Sequence, residues 1–432
     1  MLSLLRIALR NLFVDRERGL LLFLVISSAS AVLVGMMSLT AGVATEQRKA
    51  VKTLISGDLN VGGYFKVHPD TLAPVIGETP RVRGVVEPLL PASCALRERG
   101  RGQAAVGSGR HRARSFMMSL DVKQEQASLG LMPLEKGSLE ALDRPHTVAL
   151  SQPMAERLRV QVGDVATIYA EMVGGKRNAL DVEVVAITGR AGFLGEAAGI
   201  LVSNTTLREL SGFRSESSSV LQFMCPEGTD LDTLGGSLRQ GLRQAGFEVL
   251  PASHEAYGDK VSPLLRENWA GQRLDVSTWE DESSFLSFVT DGLTALTALV
   301  GLIGLAVVMV GLFVSLSVSV RERTREIGTL RAMGMHRRSV VGLFVLEGLL
   351  LGLLASAAGA LLASLLCLLL RGTVPLPAPI ASLFFSETLP LEPHLPAVVL
   401  AVLAVTLGAV LASIIPAARA AALSPRSAME SL

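Results

Sequence analysis

The stretch GLTALTALVGLIGLAVVMVGLFVSLSVSV, residues 292–320, carries no ionisable side chain and ends at a contrasting stretch, RERTREIGTLRAMGMHRR, residues 321–338. Apolar residues occupy every face of the first stretch, so a helix formed by it has no polar side to turn toward water. About 29 residues, at a rise of roughly 1.5 Å each, are enough to cross about 30 Å of hydrocarbon. The sequence therefore predicts a transmembrane helix over residues 285–320.

Three further apolar runs are long enough to span a membrane, and they predict helices over residues 19–45, 339–370 and 397–418. The first is longer than the apolar core of a cleavable signal peptide, roughly 7–15 residues, so we interpret it as an uncleaved span. Small residues recur at every fourth position in several spans, which lets helix backbones approach closely. These positions are Ser27/Ala31/Gly35, Gly311/Ser315/Ser319 and Ala404/Gly408/Ala412.

The arginine-rich ends of the spans all fall on one side of the predicted membrane. Because cytoplasmic loops are enriched in Lys and Arg, we expect both termini in the cytoplasm. The remaining segments are then an N-terminal amphipathic segment (1–18), a cytoplasmic helix (321–338), a short outer loop (371–396) and a cytoplasmic tail (419–432). The large segment 46–284 lies outside the cytoplasm in this topology.

Segment 46–284 has the composition of a soluble α/β domain. Short runs rich in β-branched residues predict strands at Asp58–Val61, Thr147–Leu150, Val165–Tyr169, Val182–Thr188 and Ile200–Val202. Helical periodicity alternates with them at Gln152–Leu158, Asn204–Leu210 and Leu231–Ala245. We therefore expect four transmembrane helices with a large α/β domain inserted between the first and the second.

Overall composition excludes some classes of protein. Of the 432 residues 49% are hydrophobic but only 4% are aromatic, and the mean hydropathy is +0.45; together these values are too apolar for an ordinary globular protein. The formal net charge is +1, and a nucleic-acid-binding domain would usually show a clear basic excess. Three cysteines show no metal-ligand spacing, and the two that we place outside the cytoplasm, Cys94 and Cys225, leave a disulfide there open.

Two charged stretches of the α/β domain are expected to be solvated. RERGRGQAAVGSGRHRAR, residues 97–114, is basic and glycine-rich, so we predict a solvated loop. The alternative is a patch that touches anionic lipid headgroups or an acidic partner. Glu280, Asp281 and Glu282 are adjacent and therefore point in different directions, which favours a solvated face over an acid/base pair.

The stretch RERTREIGTLRAMGM followed by LFVLEGLLLGLL, residues 343–354, closely resembles ABC-transporter permeases of the FtsX, MacB and LolC/LolE type. The tail IIPAARAAALSPRSAMESL fits the same family, and TVALSQPMAERLRVQVGDVATI resembles the extracytoplasmic core domain of its MacB- and LolC-type members. In this family the short cytoplasmic helix is a coupling helix that seats in a groove of a separate ATPase subunit. The resemblance assigns that contact to Arg321, Arg325, Glu326, Gly328, Leu330, Arg331, Met333 and Gly334.

The residue types of this helix suit such a contact independently of the resemblance. Ile327, Leu330, Met333 and Met335 are spaced to share one broad apolar face, with charged residues around it. Apolar residues fill the centre of an interface and Arg and Glu its rim, while Gly334 is suited to end the helix.

Three other residues are singled out. Glu347 is a carboxylate within the third span, which by default is functional, although it lies about three turns from the cytoplasmic end, where water reaches it. Family members often carry Leu-Glu-Gly there, so we favour a structural or coupling role over proton transport. Trp279 and Phe285, on the approach to the second span, are expected at the membrane interface and in a stalk.

The motifs of nucleotide and hydrolytic chemistry do not occur in the sequence. It has no GxxxxGK[ST] loop, no HExxH and no GxSxG. We therefore predict a non-catalytic membrane subunit without a cofactor or metal of its own, with ATP and Mg on a partner ATPase.

The resemblance implies a type VII-like transporter that turns ATP hydrolysis by a partner pair into conformational work outside the cytoplasm. Four spans per chain imply a dimer with a second copy or a paralogue. We favour lipoprotein release from the bacterial inner membrane, as in LolC/LolE, with a periplasmic carrier as a further partner. The alternatives are MacB-like export of peptides or drugs with an adaptor and FtsX-like control of a cell-wall hydrolase. A membrane-anchored receptor without an ATPase is a further alternative.

Overall fold

A computed structural model describes residues 16–68, 71–130, 132, 134–173, 175–189, 199–255 and 257–422. The N-terminal amphipathic segment up to residue 15 and the tail from residue 423 lie outside the described residues. The chain forms two compact units. The membrane unit consists of Met1–Ala44, Val289–Pro375 and Thr388–Leu432, and the α/β unit consists of Thr45–Phe288 and Leu376–Glu387.

The secondary structure alternates in the α/β unit and is helical in the membrane unit. The helices are α1 (Arg16–Leu54), α2 (Thr79–Val86), α3 (Gln126–Leu129), α4 (Gln152–Leu158), α5 (Asn204–Ser211), α6 (Leu231–Gln244), α7 (Tyr257–Arg266), α8 (Trp279–Glu282), α9 (Ser287–Glu322), α10 (Thr324–Ala332), α11 (Arg337–Leu370), α12 (Ala378–Phe384) and α13 (Leu395–Ala422). The strands are β1 (Leu59–Lys66), β2 (Ala95–Arg99), β3 (Arg101–Ser108), β4 (His111–Leu120), β5 (Leu134–Gly137), β6 (Thr147–Ser151), β7 (Val165–Glu171), β8 (Arg177–Thr188), β9 (Ile200–Ser203), β10 (Val220–Met224) and β11 (Gly271–Thr278).

The predicted fold class is confirmed. Helices α1, α9, α11 and α13 are long and apolar enough to cross a membrane, and the α/β domain follows the first of them. The predicted strands and helices of the domain are found, and helix α4 has the predicted bounds, 152–158.

The α/β unit contains two sheets. The smaller has the order β11-β1-β10-β2 and pairs antiparallel throughout. Helix α6 packs on it because Leu234, Leu238 and Leu242 recur every fourth residue and are buried. A disulfide joins Cys94, just before β2, to Cys225, just after β10. The pairing that the sequence left open is therefore formed.

The larger sheet is mixed, with seven strands in the order β5-β8-β6-β9-β4-β3-β7. Strands β6 and β8 pair in parallel, as do β4 and β9, and the other neighbours pair antiparallel. One face carries a core with α4 and α5, formed around Val148, Leu150 and Ile168. The predicted loop 97–114 is wrong, because the end of β2, all of β3 and the beginning of β4 occupy that stretch, and a two-residue turn joins β3 to β4.

Small residues allow the helices of the membrane unit to pack closely against one another. On α11 a Cβ at Gly352 would come within 2.7 Å of the Cβ of Ala409 on α13, and one at Gly348 within 2.9 Å of the Cβ of Ser413. A Cβ at Gly359 would overlap the backbone carbonyl of Ser27 on α1. Among the small residues marked by the sequence, Gly408 is approached closely by Leu305, whereas Gly35 faces open space.

Candidate functional site

Helix α10 lies between two membrane helices in sequence, and the residues that follow Ala332 end it. Met333 follows its last residue, and Gly334 adopts φ +97°, a conformation that side-chain-bearing residues rarely adopt. The Gly334 N–H donates to the carbonyl of Arg331 at 3.1 Å, which satisfies one of the last carbonyls of the helix. The chain can then turn at once into α11 at Arg337.

The residues predicted for the coupling contact fall into two groups. The exposed group comprises Arg321, Arg325, Glu326, Met333 and Gly334. Gly328 is buried and Arg331 is half-buried, while the side chain of Leu330 lies outside the described part of the chain. The structure thus leaves five of the eight predicted contact residues accessible.

Ile327 and Met333, which were predicted to share one apolar face, lie in different environments. Ile327 is 5% exposed and packs with Val320, Phe344 and Ala417, inside the membrane unit. Met333, in contrast, is 76% exposed. The difference arises because Ile327 anchors α10 to the ends of the membrane helices, whereas Met333 follows the helix end and faces outward.

An ion pair joins the ends of α1 and α9 beside this helix. Arg18 Nη1 donates to both carboxylate oxygens of Glu322 at 2.7 Å. Both side chains are about half exposed, 50% and 46%, so water screens the pair. It brings the N-terminal end of α1 to the beginning of α10.

Glu347 lies on α11, one residue before Gly348, and is 9% exposed. It lines a small cavity of about 50 Å³ together with Arg18 and Arg323, and with the hydroxyl-bearing Ser315 and Ser319. Two arginines and two serines therefore border the same small cavity as Glu347.

Trp279 begins α8, and a capping box fixes it there: Asp281 accepts from the backbone N–H of Thr278, whose hydroxyl accepts from that of Asp281. The Arg48 guanidinium lies 4.7 Å from the centre of the Trp279 ring, and Lys52 Nζ lies 5.6 Å away. Phe285 belongs to the next helical turn, and its side chain lies outside the described part of the chain.

A hydrophobic cluster surrounds Trp279. It includes Val51 of α1, Leu286 and Phe385, the residue that follows α12. Gln47 Nε2 also donates to the carbonyl of Leu383 at 3.3 Å. The short segment between α11 and α13 thus packs on the residues around Trp279 within the α/β unit.

Three arginines at alternate positions run from β2 into β3 and are buried; we call Arg97, Arg99 and Arg101 the arginine ladder. Arg97 donates to the carbonyls of Lys52 and Ser56, both at 2.6 Å, and burial beside Arg99 lowers the pKa of Arg97 to about 9. Arg97 and Arg99 both pair with the carboxylate of Glu125.

Arg101 pairs with Glu282 of α8 at 2.9 Å, and Ser277 also donates to Glu282 at 2.7 Å. Glu282 and Asp281 are 5% and 4% exposed. The expectation of a solvated acidic face is therefore wrong for these two residues, because one binds the arginine ladder and the other caps α8; Glu280 is exposed.

The sequence does contain a signal for the arginine ladder. Arg97, Arg99 and Arg101 alternate with a period of two, as side chains on one face of a strand do. Their partners, Glu125 and Glu282, lie up to 181 residues away along the chain. Composition in a short window therefore favoured a solvated loop.

The sequence of the membrane unit matches a known family. Residues 298–425 match the model of the FtsX-like permease C-terminal domain. The chain is also 33% identical over 231 residues to the macrolide export ATP-binding/permease protein MacB 1 of Aeromonas hydrophila. The C-terminal part of this chain therefore matches the FtsX-like permease family, and the chain is similar to ABC transporter permeases of the FtsX/MacB type.

The matches to known relatives cover only part of each protein. The match to MacB 1 includes 53% of this chain and 33% of that relative. An uncharacterized ABC transporter permease of Methanocaldococcus jannaschii is 27% identical over 112 residues, 26% of the permease and 28% of the relative. The permease thus spans a third or less of the length of the curated relatives it matches.

Two solved structures are also similar to the permease. The periplasmic region of MacB from Actinobacillus actinomycetemcomitans aligns with TM-score 0.31 and 8% identity, covering 55% of the permease and 98% of that chain. The extracellular domain of the transporter YknZ from Gram-positive bacteria aligns with TM-score 0.29 and 11% identity, covering 43% and 94%.

Proposed function

We propose that the permease is a membrane subunit that couples ATP hydrolysis by a separate ATPase pair to conformational work outside the cytoplasm. The observation that carries this proposal is α10. It is a short helix anchored by buried Ile327 and presenting Arg325, Glu326 and the protruding Met333. A protruding apolar side chain among charged ones is suited to a protein interface.

Charge and the disulfide both support the orientation that we propose. The arginine-rich ends of the membrane helices would lie in the cytoplasm. The Cys94–Cys225 disulfide supports an oxidising compartment for the α/β unit, since cytosolic proteins rarely keep disulfides. In this topology α10 faces the cytoplasm, the α/β unit faces the periplasm, and the bacterial inner membrane is the location.

The proposed assembly contains two permease chains and an ATPase pair. Four membrane helices per chain support a dimer with a second copy or a paralogue. ATP and Mg would be held by the ATPase. Helices α1 and α9 each belong in sequence to both units, so they are the covalent route by which movement at α10 could reach the α/β unit.

For the cargo we propose release of lipoproteins from the membrane, in the manner of LolC/LolE, with transfer to a periplasmic carrier. The approach to the second span, Val276–Phe285, and the size of the α/β unit support this cargo by resemblance. A second candidate is export of a peptide or drug with an adaptor, which the 33% identity to a macrolide export protein favours. Regulation of a cell-wall hydrolase is a third outcome of the same test.

The test is charge reversal on α10 followed by purification from native membranes. Arg325→Glu places an anion at an exposed position of α10, and Arg110→Glu makes the same change in the exposed turn between β3 and β4. Both tagged variants and the unaltered chain are captured in nanodiscs, and the proteins that remain bound are identified by mass spectrometry.

We expect an ATPase to copurify with the unaltered chain and with Arg110→Glu, and to be lost from Arg325→Glu. Acylated lipoproteins in the same samples would support the proposed cargo, while an adaptor or a murein hydrolase would replace it with one of the alternatives. Absence of an ATPase from all three samples would contradict the coupling role.

A further inference from the structure

The α/β unit contains an open cleft, with a volume of about 970 Å³, that the coupling role leaves unexplained. Ligand sites in proteins have volumes of roughly 300–1,000 Å³ and are mostly apolar with a few placed polar groups. One wall is the face of strands β3, β4 and β7, and the other includes α7 and the segment 71–74.

The strand wall combines aromatic rings with cations. Arg112, Arg114 and Phe116 alternate along β4 and share one face, and Tyr169 of β7 lies on that face too. The Arg112 guanidinium lies 4.6 Å from the centre of the Tyr169 ring. Gly107 of β3 lies beneath both, because a Cβ there would come within 3.2 Å of the ring and 3.4 Å of Arg112. Because Gly107 has no side chain, it leaves room for the Tyr169 ring and the Arg112 side chain to pack above it.

The charges of the cleft leave a positive excess on the strand wall. Arg101 is paired with Glu282, and Arg177 stands opposite Glu171 across strands β7 and β8. These two pairs balance in charge.

Among the described residues that line the cleft, the remaining charged side chains are Arg112 and Arg114 on the strand wall and Asp259 on α7. Opposite them on β3 stand Gly107 and Ala105, which carry no group that could pair with a cation. The strand wall thus carries two positive charges that suit the binding of an anion.

Apart from Asp259, the helix wall is lined largely by aliphatic side chains. Leu265 is 36% exposed, and Val261, one turn earlier on α7, also lines the cleft. Leu72 adds a third aliphatic side chain. A ligand between the walls would meet aliphatic groups on one side and rings with guanidinium groups on the other.

We propose that this cleft binds an amphipathic anion, a molecule with an extended apolar body and one acidic group. The apolar body would lie against Leu265 and Phe116, and the acidic group would accept hydrogen bonds from Arg112 and Arg114. This site goes beyond the coupling role of α10, and its occupancy requires neither ATP nor the ATPase.

The test is a fluorescence titration of the full chain in nanodiscs with dansylamino-undecanoic acid, whose emission shifts to the blue in an apolar site. Emptied discs supply the background, and the methyl ester of the probe supplies the matched uncharged ligand. The variants are Arg112→Glu/Arg114→Glu, with Arg110→Glu in the neighbouring turn as the control for charge.

We expect saturable binding to the unaltered chain and to Arg110→Glu. The double variant and the methyl ester should bind at least about tenfold more weakly, since each loses the charged hydrogen bonds. Equal affinity for acid and ester, equal affinity of the double variant, or a signal no larger than that of emptied discs would overturn the proposal.

A second pair of variants decides the outcome if the double variant does not fold. Leu265→Asp places an anion on the helix wall and should weaken binding of the acid, whereas Val165→Asp, at a position that is 64% exposed and outside the cleft, should not. Repeating the titration with phosphatidylglycerol in the discs separates the sources of the anion: competition indicates an anionic lipid, and its absence indicates a free amphipathic acid. Because no ATPase is present, failure here leaves the role of α10 standing.

Discussion

The α/β unit and the membrane unit keep their charged side chains in different places. In the α/β unit the arginine ladder, Glu125 and Glu282 are buried and bonded to one another. In the membrane unit the helices meet through glycine, alanine and serine, and arginines such as Arg321 and Arg325 are exposed at its end.

The difference follows from what each environment supplies. In water the burial of apolar side chains stabilises the core of a unit. Buried charge pairs add to this by specifying which strands and helices pack together. In a membrane apolar burial does not drive helices together, and close backbone approach provides the contact. The charges of Arg321 and Arg325 then lie at the surface rather than between the helices.

The largest expected effect comes from removing the carboxylate at the centre of the arginine ladder. Glu125→Gln leaves Arg97 and Arg99 buried beside each other without their shared anion. We expect the free energy of unfolding of the α/β unit to fall by about 3–5 kcal/mol. Both tryptophans of the chain, Trp269 and Trp279, lie in this unit, so urea unfolding followed by tryptophan fluorescence measures it.

The matched control removes an exposed carboxylate from the same unit. Glu183 pairs with Arg144 at 3.4 Å, with side chains 44% and 58% exposed. Glu183→Gln should therefore change the free energy of unfolding by less than about 1 kcal/mol. Similar losses for both variants would mean that the arginine ladder is no more important than a surface pair.

The next effect tests close packing in the membrane unit. Gly359→Ala puts a Cβ onto the backbone carbonyl of Ser27, so α1 and α11 must separate, and we expect a loss of about 1–3 kcal/mol. Gly342→Ala, on the same helix, meets open space and should be neutral or slightly stabilising because Ala favours helix. Thermal unfolding in detergent, followed by circular dichroism, compares the two. Equal melting temperatures would contradict the close packing of α11 against α1 at Gly359.

The sequence predicted the parts of this comparison that depend on local pattern. Uncharged runs predicted the four membrane helices, and short runs rich in β-branched residues predicted strands such as β6 and β7. It missed the arginine ladder because Glu125 and Glu282 are brought to it only by the fold. It also grouped Ile327 with Met333, since helical spacing alone does not reveal that α10 packs against α9, α11 and α13. The closely packed glycines of α11, Gly348, Gly352 and Gly359, were missed because an apolar run does not show which face of a helix contacts its neighbours.

A smaller effect is expected from the exposed pair at the end of the membrane unit. Arg18 and Glu322 are about half exposed, so Glu322→Gln should cost less than about 1 kcal/mol, and added salt should diminish the difference. A double-mutant cycle with Arg18→Gln measures the coupling between the two side chains. A coupling energy that high salt leaves unchanged would show that the pair is shielded from water and resembles the arginine ladder.

The smallest effect concerns pH and a second buried pair of the α/β unit. Burial raises the pKa of Asp275 above its ordinary value of 3.8, although Lys260 Nζ, 2.7 Å away, opposes the rise. Between 3.8 and the raised pKa the folded state holds a proton that the unfolded state has lost. Stability therefore falls as pH rises through this window and stays level above it. Asp275→Asn removes this dependence, so the difference in unfolding free energy between the unaltered chain and the variant should decrease as pH rises.

An exposed carboxylate of the same unit should show the opposite sign. Hydrogen bonds from Thr233 lower the pKa of Asp230, the cap of α6, below 3.8. Its contribution is then fully present above 3.8 and is lost as pH falls through the lowered pKa. The difference between the unaltered chain and Asp230→Asn should therefore increase with pH, where that for Asp275→Asn decreases. If both differences moved in the same direction, burial would not be what distinguishes Asp275 from a carboxylate at the surface.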